Sequence, residues 1–231
     1  MRCRKVLPLC AVLIAGAWCM AAANADDADA DSMVRRLAER YQQFDSYKLE
    51  YLDSYTTAGT YHRKVSFQRP GRYRVETNRA GEANWVIQIL SQKGRWMYAP
   101  DLQQYIAMSE KPEGDPAFEV GSIGRIASQM RRAEFLPAET IDVAGRSYNC
   151  DVVRVWFQAG EASTTLWIDR SRDLVQRYVA TGPRESVSVT LLSAEVNPIV
   201  PDELFQFEPS PGYREVKSLC CWGPGGIPSK Q

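Results

Sequence analysis

The side chains best placed to do chemistry in this chain are an arginine and the aromatics around it. In Phe67-Gln68-Arg69-Pro70-Gly71-Arg72-Tyr73-Arg74 one strand stops at Pro-Gly and another begins, which leaves Arg69 at the end of an apolar face. Alternate residues of a strand share a face, so Tyr61, Arg63, Val65, Phe67 and Arg69 lie on one side and His62, Lys64, Ser66 and Gln68 on the other. The side carrying Tyr61, Val65 and Phe67 turns inward, with Arg69 at its rim. A guanidinium there loses its hydration unless carbonyls or carboxylates replace it, so the chemistry on offer is a charge-assisted latch. A second reading stands beside it: a strand-end arginine on the surface, its stem lying along apolar neighbours.

Catalytic groups are not assembled in any comparable way. His62 is the only histidine, and it falls on the polar side of its strand, a poor base for a Ser-His-Asp arrangement. Cys and His do not cluster at metal-ligand spacing, and no glycine-rich phosphate loop follows a strand. Asp202-Glu203 after Pro201 reads as a helix start rather than a carboxylate pair. Binding is therefore expected, with no enzyme activity, no cofactor and no metal. Apolar and aromatic surface remains: Trp85, Trp96, Tyr98, Tyr105, Trp156, Trp167 and Tyr178 all fall in strand-like segments. Trp96 and Tyr98 share a face of one later strand and are expected to join Tyr61, Val65 and Phe67 in one apolar pocket beneath a lid at 116–131. An ordinary filled core of the same aromatics is the competing expectation.

The ends of the chain bear on where such a pocket would work. Arg2, Arg4 and Lys5 precede an apolar run from Val6 to Ala23, then Ala23-Asn24-Ala25 and a run of acidic residues, the layout of a secretory signal peptide over 1–25 cleaved after Ala25. A retained membrane anchor is the rival; Pro8, Gly16 and the small-x-small end speak against it. Cys19 follows Trp18 rather than a small residue, so lipidation is not expected. Removing 1–25 leaves 206 of 231 residues, with 25 Lys+Arg against 28 Asp+Glu, a size for one β barrel or sandwich domain and a charge that does not suggest nucleic acid. Cys150, Cys220 and Cys221 remain, which permits Cys150 to pair with either of the others, or a vicinal bridge.

Around Arg69 the elements read clearly. Ser32 can cap a helix whose Val34, Leu37, Ala38, Tyr41 and Phe44 recur at helical spacing. From Tyr47 the period changes to two, and strands are predicted at 60–69, 72–78, 85–91, 95–99 and 103–107, then at 135–143, 147–157, 163–169, 174–181 and 186–196, about ten in an antiparallel meander with short turns. Between the two sets, Lys111–Val120 reads as a loop. Ile123, Ile126, Ala127 and Met130 follow as a second amphipathic helix ending at Arg131-Arg132, either a lid or a plug in ordinary core. The domain is expected over 32–216, with 217–231 as a flexible tail.

Three stretches, in this order, resemble the LolA family of periplasmic lipoprotein carriers and their outer-membrane lipoprotein-sorting relatives. Arg69-Pro70-Gly71-Arg72-Tyr73 is similar to the family's Arg-Pro-x-x-aromatic element. Ile89 to Pro100, with Gly94-Arg95-Trp96-Met97-Tyr98-Ala99-Pro100, resembles its hairpin and Trp-x-Tyr-x-Pro, followed here by Gln103-Gln104-Tyr105. Pro201 to Gly212, with Phe205-Gln206-Phe207-Glu208-Pro209, is similar to its closing Phe-x-Phe-x-Pro-Pro-x-Gly, and Leu166-Trp167-Ile168-Asp169 is common in the sorting relatives. The resemblance covers about 33–216 and implies a mainly β fold, an unclosed antiparallel β barrel capped by amphipathic helices. It implies a cavity for the acyl chains of a lipoprotein or another lipid, an arginine at Arg69 that bonds to the lid in the closed state, and an aromatic at Tyr73 that engages partner and cargo. Tyr61, Val65, Phe67, Arg69, Tyr73, Trp96 and Tyr98 are then the expected lipid-binding residues of a periplasmic monomer. Its partners would be acylated cargo, an inner-membrane release machinery and an outer-membrane receptor. Gln92-Lys93 departs from the family's Ser-Asp, and Tyr73 from its common Phe. The alternative is an envelope sensor of RseB type that restrains a partner protein; those sensors carry a further C-terminal domain, and little of this chain follows Gly212.

Overall fold

A computed structural model describes residues 19–82, 85–108, 123–158, 162–182 and 185–219. Period-two alternation becomes strands nearly where the sequence places them: β1 (Ser46–Tyr55), β2 (Gly59–Gln68), β3 (Arg72–Arg79), β4 (Val86–Ser91), β5 (Gly94–Ala99) and β6 (Gln104–Met108). After helix α2 (Ile123–Gln129) come β7 (Met130–Val143), β8 (Arg146–Phe157), β9 (Ser163–Asp169), β10 (Leu174–Thr181), β11 (Ser186–Val196) and the two-residue β12 (Arg214–Glu215). They form one sheet of 12 strands in the order β12-β6-β5-β4-β3-β2-β1-β11-β10-β9-β8-β7. Two meanders meet where β1 pairs with β11, and only β12 joins in parallel, against β6. The sheet does not close.

Helix α1 (Cys19–Gln42) supplies what closure would otherwise supply. Ala30, Val34, Leu37, Ala38 and Tyr41 recur at helical spacing, and this stripe is buried in one core with Tyr47, Leu49, Val65, Phe67, Val153, Val155, Leu166 and Ile168 from the concave side of the sheet. The Tyr41 hydroxyl accepts a hydrogen bond from Val175 N at 2.8 Å. That amide lies where the β9–β10 register shifts between Val175 and Arg177, a bulge that takes a ladder donor out of its usual pairing. Burial pushes the Tyr41 phenol well above its ordinary pKa. The Asp31 carboxylate accepts from Ala133 N, which ties α1 to β7.

Four expectations change. The helix runs through Ser32 instead of starting there, since Ala21 to Ala30 contains no residue that breaks a helix. The second helix stops at Gln129, and Met130 to Val143 is a 14-residue strand, longer than predicted because Met130 and Ala133 take their place in a buried strand pattern. Among the described residues twelve strands form where about ten are expected, the two-residue β12 included. The chain also stays folded past 216: Leu219 is buried with Val86, Met97 and Ala99, which brings the start of the expected tail into the domain. Cys150 is a buried free thiol, pushed up to about 11 by burial and by Asp169 and Asp151. Cys220, Cys221, the expected signal-peptide residues 1–18 and the 111–120 loop lie outside the described residues. Among those described, no helix is long and apolar enough to cross a membrane.

The β9–β10 turn shows how a buried carboxylate is held. Burial raises the Asp169 pKa, but Arg172 Nε at 2.8 Å, Ser171 N at 2.9 Å and Ser171 Oγ at 2.8 Å outweigh it and leave the group below the usual carboxylate range. A carboxyl with a depressed folded pKa stabilises the fold above the unfolded value near about 4 and loses that contribution as pH falls through the folded value. Asp169→Asn should therefore cost roughly 1–3 kcal/mol at neutral pH, and the gap to wild type should close in urea melts taken below about pH 3. An undiminished gap in acid would mean that shape, not charge, holds the turn.

Candidate ligand-binding face

Cross-strand pairs show which of the expected residues meet. Tyr47 faces Phe67 and Phe67 faces Tyr73; Leu49 faces Val65 and Val65 faces Val75. Directly paired residues share a face, so these form one apolar floor on the concave side, with Tyr47 and Phe67 stacked at 4.7 Å between ring centroids. Val65 and Phe67 are each 1% exposed and Tyr73 is 4% exposed beneath the helices. Ile123, Ile126 and Ala127 of α2 are buried in the same core, so the described part of the expected 116–131 lid packs beside α1. Residues 116–122 lie outside the described residues.

Tyr61 is on this face but at its far, polar end. Its hydroxyl donates to Ala58 O at 2.8 Å and its ring meets Tyr55 edge-on at 5.9 Å. Between it and the apolar floor, Arg63 Nε lies 2.7 Å from Asp53 Oδ2, an ion pair with side chains 13% and 5% exposed. Such a pair is costly to desolvate, so the concave face is divided into an apolar and a polar half. Sequence reading missed it, although Asp53 and Arg63 each stand at an inward position of an otherwise apolar alternation.

Residues 116–122 of the expected lid lie outside the described residues, and Arg69 finds carbonyl partners at the end of α1. Its Nε donates to Phe44 O at 2.9 Å, and an Nη donates to Gln42 O. Gln42 is the last residue of α1, so the guanidinium caps carbonyls that the helix leaves unsatisfied, at the end where the helix dipole is negative. The backbone adds Arg69 N to Asp45 O at 2.8 Å. The arginine thus holds the C-terminus of α1, which also identifies the functional carbonyls that side-chain motifs could not show. Nearby, Asn197 Oδ1 accepts from Asp45 N at 2.9 Å and Ser46 Oγ donates to Pro198 O at 2.6 Å, fixing the turn that Arg69 grips.

Trp96 and Tyr98 do not join the pocket. Val75 faces Gln88 and Gln88 faces Met97, whereas Glu76 faces Ile87 and Ile87 faces Tyr98. Met97 therefore continues the face of Val65, and Trp96 and Tyr98 stand on the outer one. There Phe207 stacks on Tyr98 at 4.5 Å, with Tyr105 at 5.4 Å and Trp96 and Tyr213 both at 6.3 Å. Arg74 Nη1 binds the Tyr98 hydroxyl at 3.2 Å and Leu204 O at 3.4 Å, so this cluster fastens the C-terminal segment to the outside of the sheet. Among the described residues no group of His, Cys, Asp and Glu is arranged to hold a metal.

No family model and no curated protein matches the sequence. Solved structures do match. LprF from Mycobacterium bovis is 14% identical with a TM-score of 0.50, over 76% of this chain and 96% of that one. An uncharacterized conserved protein from Thermus thermophilus is 10% identical with a TM-score of 0.51, over 80% and 97%. A LolA superfamily protein from Nitrosomonas europaea is 14% identical with a TM-score of 0.40, over 77% and 97%. At these identities the likeness is one of fold.

Separation of the two faces has a measurable consequence. Phe207→Ala removes the ring that Trp96, Tyr98, Tyr105 and Tyr213 share, a loss on the order of 2 kcal/mol for a half-buried aromatic. Hydrogen exchange should accelerate across 202–215 and stay unchanged in α1 and β2. Equal acceleration in α1 would show that the outer cluster and the concave floor are one unit.

Proposed function

We propose that this chain, whose fold is LolA-like, is a periplasmic carrier that takes the acyl chains of a lipoprotein or another lipid onto its concave face and moves them toward the outer membrane. The observation that carries this reading is the cover over that face. Val65, Phe67, Tyr73 and Leu90 are sealed by a helix stripe rather than by a second sheet, and the end of that helix is gripped by one guanidinium.

Magnitudes support an exchange of cover for cargo. Uncovering Val34, Leu37, Tyr41 and Phe44 costs about 1.5–3 kcal/mol each, and burying an acyl chain of about sixteen carbons returns about 0.8 kcal/mol per methylene. The two sums are of the same order, near 10 kcal/mol. A latch of about 1–3 kcal/mol, the range for hydrogen bonds to a charged group, then decides which state is populated. Cargo would enter from an inner-membrane release machinery and leave to an outer-membrane receptor. Tyr61, with the Asp53–Arg63 pair at the polar end, is the place for the cargo's head. Trp96 and Tyr98 have no part in the ligand face.

Arg69→Leu should fold, with its far-UV spectrum unchanged, and should retain an acyl-chain fluorophore on the order of tenfold more tightly, because the empty closed state loses its latch. Arg69→Lys, which keeps charge without the fork, should fall between. Native mass spectrometry of protein purified from its own compartment should find an acylated ligand. If the wild type binds no acylated probe while a known carrier does so alongside, the reading fails.

A further inference from the structure

Beyond Phe207 the chain changes sides of the sheet. Phe207 packs on Tyr98 of the outer face, whereas Leu219 is buried with Val86, Met97 and Ala99. Pairing puts those three on the concave face. Val65 faces Val75, Val75 faces Gln88, Gln88 faces Met97 and Met97 faces Ile106, and Val86 and Ala99 each stand two residues along from a member of that row. The C-terminal segment therefore wraps round the edge strand β6, held there by Arg214 N to Gln103 O at 2.9 Å and Val216 N to Tyr105 O at 2.8 Å. Arg214, Glu215, Lys217 and Ser218 are exposed, but Leu219 is only 2% exposed. It is turned inward as a plug.

What Leu219 covers is a second apolar strip, apart from the floor under α1. Leu90 belongs to the core that α1 seals, while Val86, Met97 and Ala99, with Ile106 against them, form a cluster of their own on the same face. Gln88 stands between Leu90 and Val86 on β4, and its amide oxygen, oriented by its neighbours, accepts from Arg95 Nε at 2.9 Å. Arg95 pairs with Leu90, so its side chain lies on the concave face as well, half-buried and with no carboxylate partner among the described residues. Two apolar strips with a guanidinium and a carboxamide at their junction match a ligand whose two hydrocarbon chains diverge from a polar joint. Met97, unbranched and polarizable, is a side chain that adapts to a flexible chain.

We propose that the strip under Leu219 is a second subsite of the ligand face, where one acyl chain of a two-chained lipid takes the place of Leu219 while the other takes the place of α1, and the ester carbonyls at the joint accept from Arg95. The inference rests on the carrier reading and deepens it, since it makes lipids with two chains the preferred ligands over those with one. Lifting the plug disturbs little structure. Two ladder bonds at the edge of the sheet hold it, and the Phe207 rings keep the rest of the segment on the outer face when they part. Arg95 has donors to spare beyond the one Gln88 takes, so an arriving carbonyl finds a partner without displacing one.

The test titrates the isotope-labelled full chain with dioctanoyl phosphatidylcholine and with its one-chained lyso counterpart, both below their micellar concentrations, and follows hydrogen exchange at the Val216 amide. The two-chained lipid should speed that exchange several-fold, and the one-chained lipid should not. Leu219→Ser takes away the resident plug and should raise the ratio of two-chained to one-chained affinity at least about tenfold. Ile106→Asp puts an unpaired carboxylate into the strip and should lower the same ratio by a similar factor. Arg95→Met should weaken the two-chained lipid by about threefold or more. A two-chained lipid that binds without moving the Val216 amide, or a ratio that Leu219→Ser does not raise, would overturn the second subsite and leave the carrier reading standing. Failure of both lipids to bind would overturn the two together.

Discussion

Water must be kept off the concave face of the sheet, and among the described residues no second sheet does it. Helix α1 meets that requirement with one stripe of side chains, and most of the architecture serves to hold the stripe in place. Asp31 fixes the helix to β7, Tyr41 fixes it to β10, and Arg69 fixes its C-terminus to the β2–β3 turn. Each tether is a hydrogen bond to or from a backbone group the fold would otherwise leave unpaired, so positioning the helix and satisfying the backbone are one act.

That arrangement differs from a conventional core in what it costs to undo. Separating two packed sheets would break strand ladders as well as apolar contacts, whereas lifting a helix breaks contacts and a few tethers and leaves its internal hydrogen bonds intact. The carrier reading requires a cover of this kind, one that leaves the sheet's ladders intact when it is lifted. The outer side of the sheet is built on another plan. Its cover is the C-terminal segment, locked by Phe207 among four rings and by Arg74, and it has the marks of a permanent seal.

Much of this was legible in the residues. Strand positions and the α1 stripe followed from periods of two and 3.6, and the end of β2 followed from Pro70-Gly71. The face of Tyr61, Val65 and Phe67 was legible because alternation within one strand is a local property. Trp96 and Tyr98 were misplaced for the same reason: alternation says which residues of β5 share a side, but the pairing of β3, β4 and β5 decides which side it is, and a single step of register exchanges the two. That the carbonyls of Gln42 and Phe44 would meet Arg69 was hidden, because which backbone groups come together leaves no mark in a sequence. Met130 was assigned to a helix because a spacing of three and four fits its neighbours, while the strand it begins is stabilised by pairing with β8, which is not local.

If cargo replaces α1 as proposed, the bond from Val175 N to the Tyr41 hydroxyl acts as a chemical filter. A hydrocarbon that lifted α1 would strand that amide in an apolar surrounding, at roughly 1–3 kcal/mol. An ester or amide carbonyl arriving with the chain could take over as acceptor. On the carrier reading proposed above, the bulge in β10 would favour acylated molecules over plain alkanes and detergent tails that lack a carbonyl near the chain.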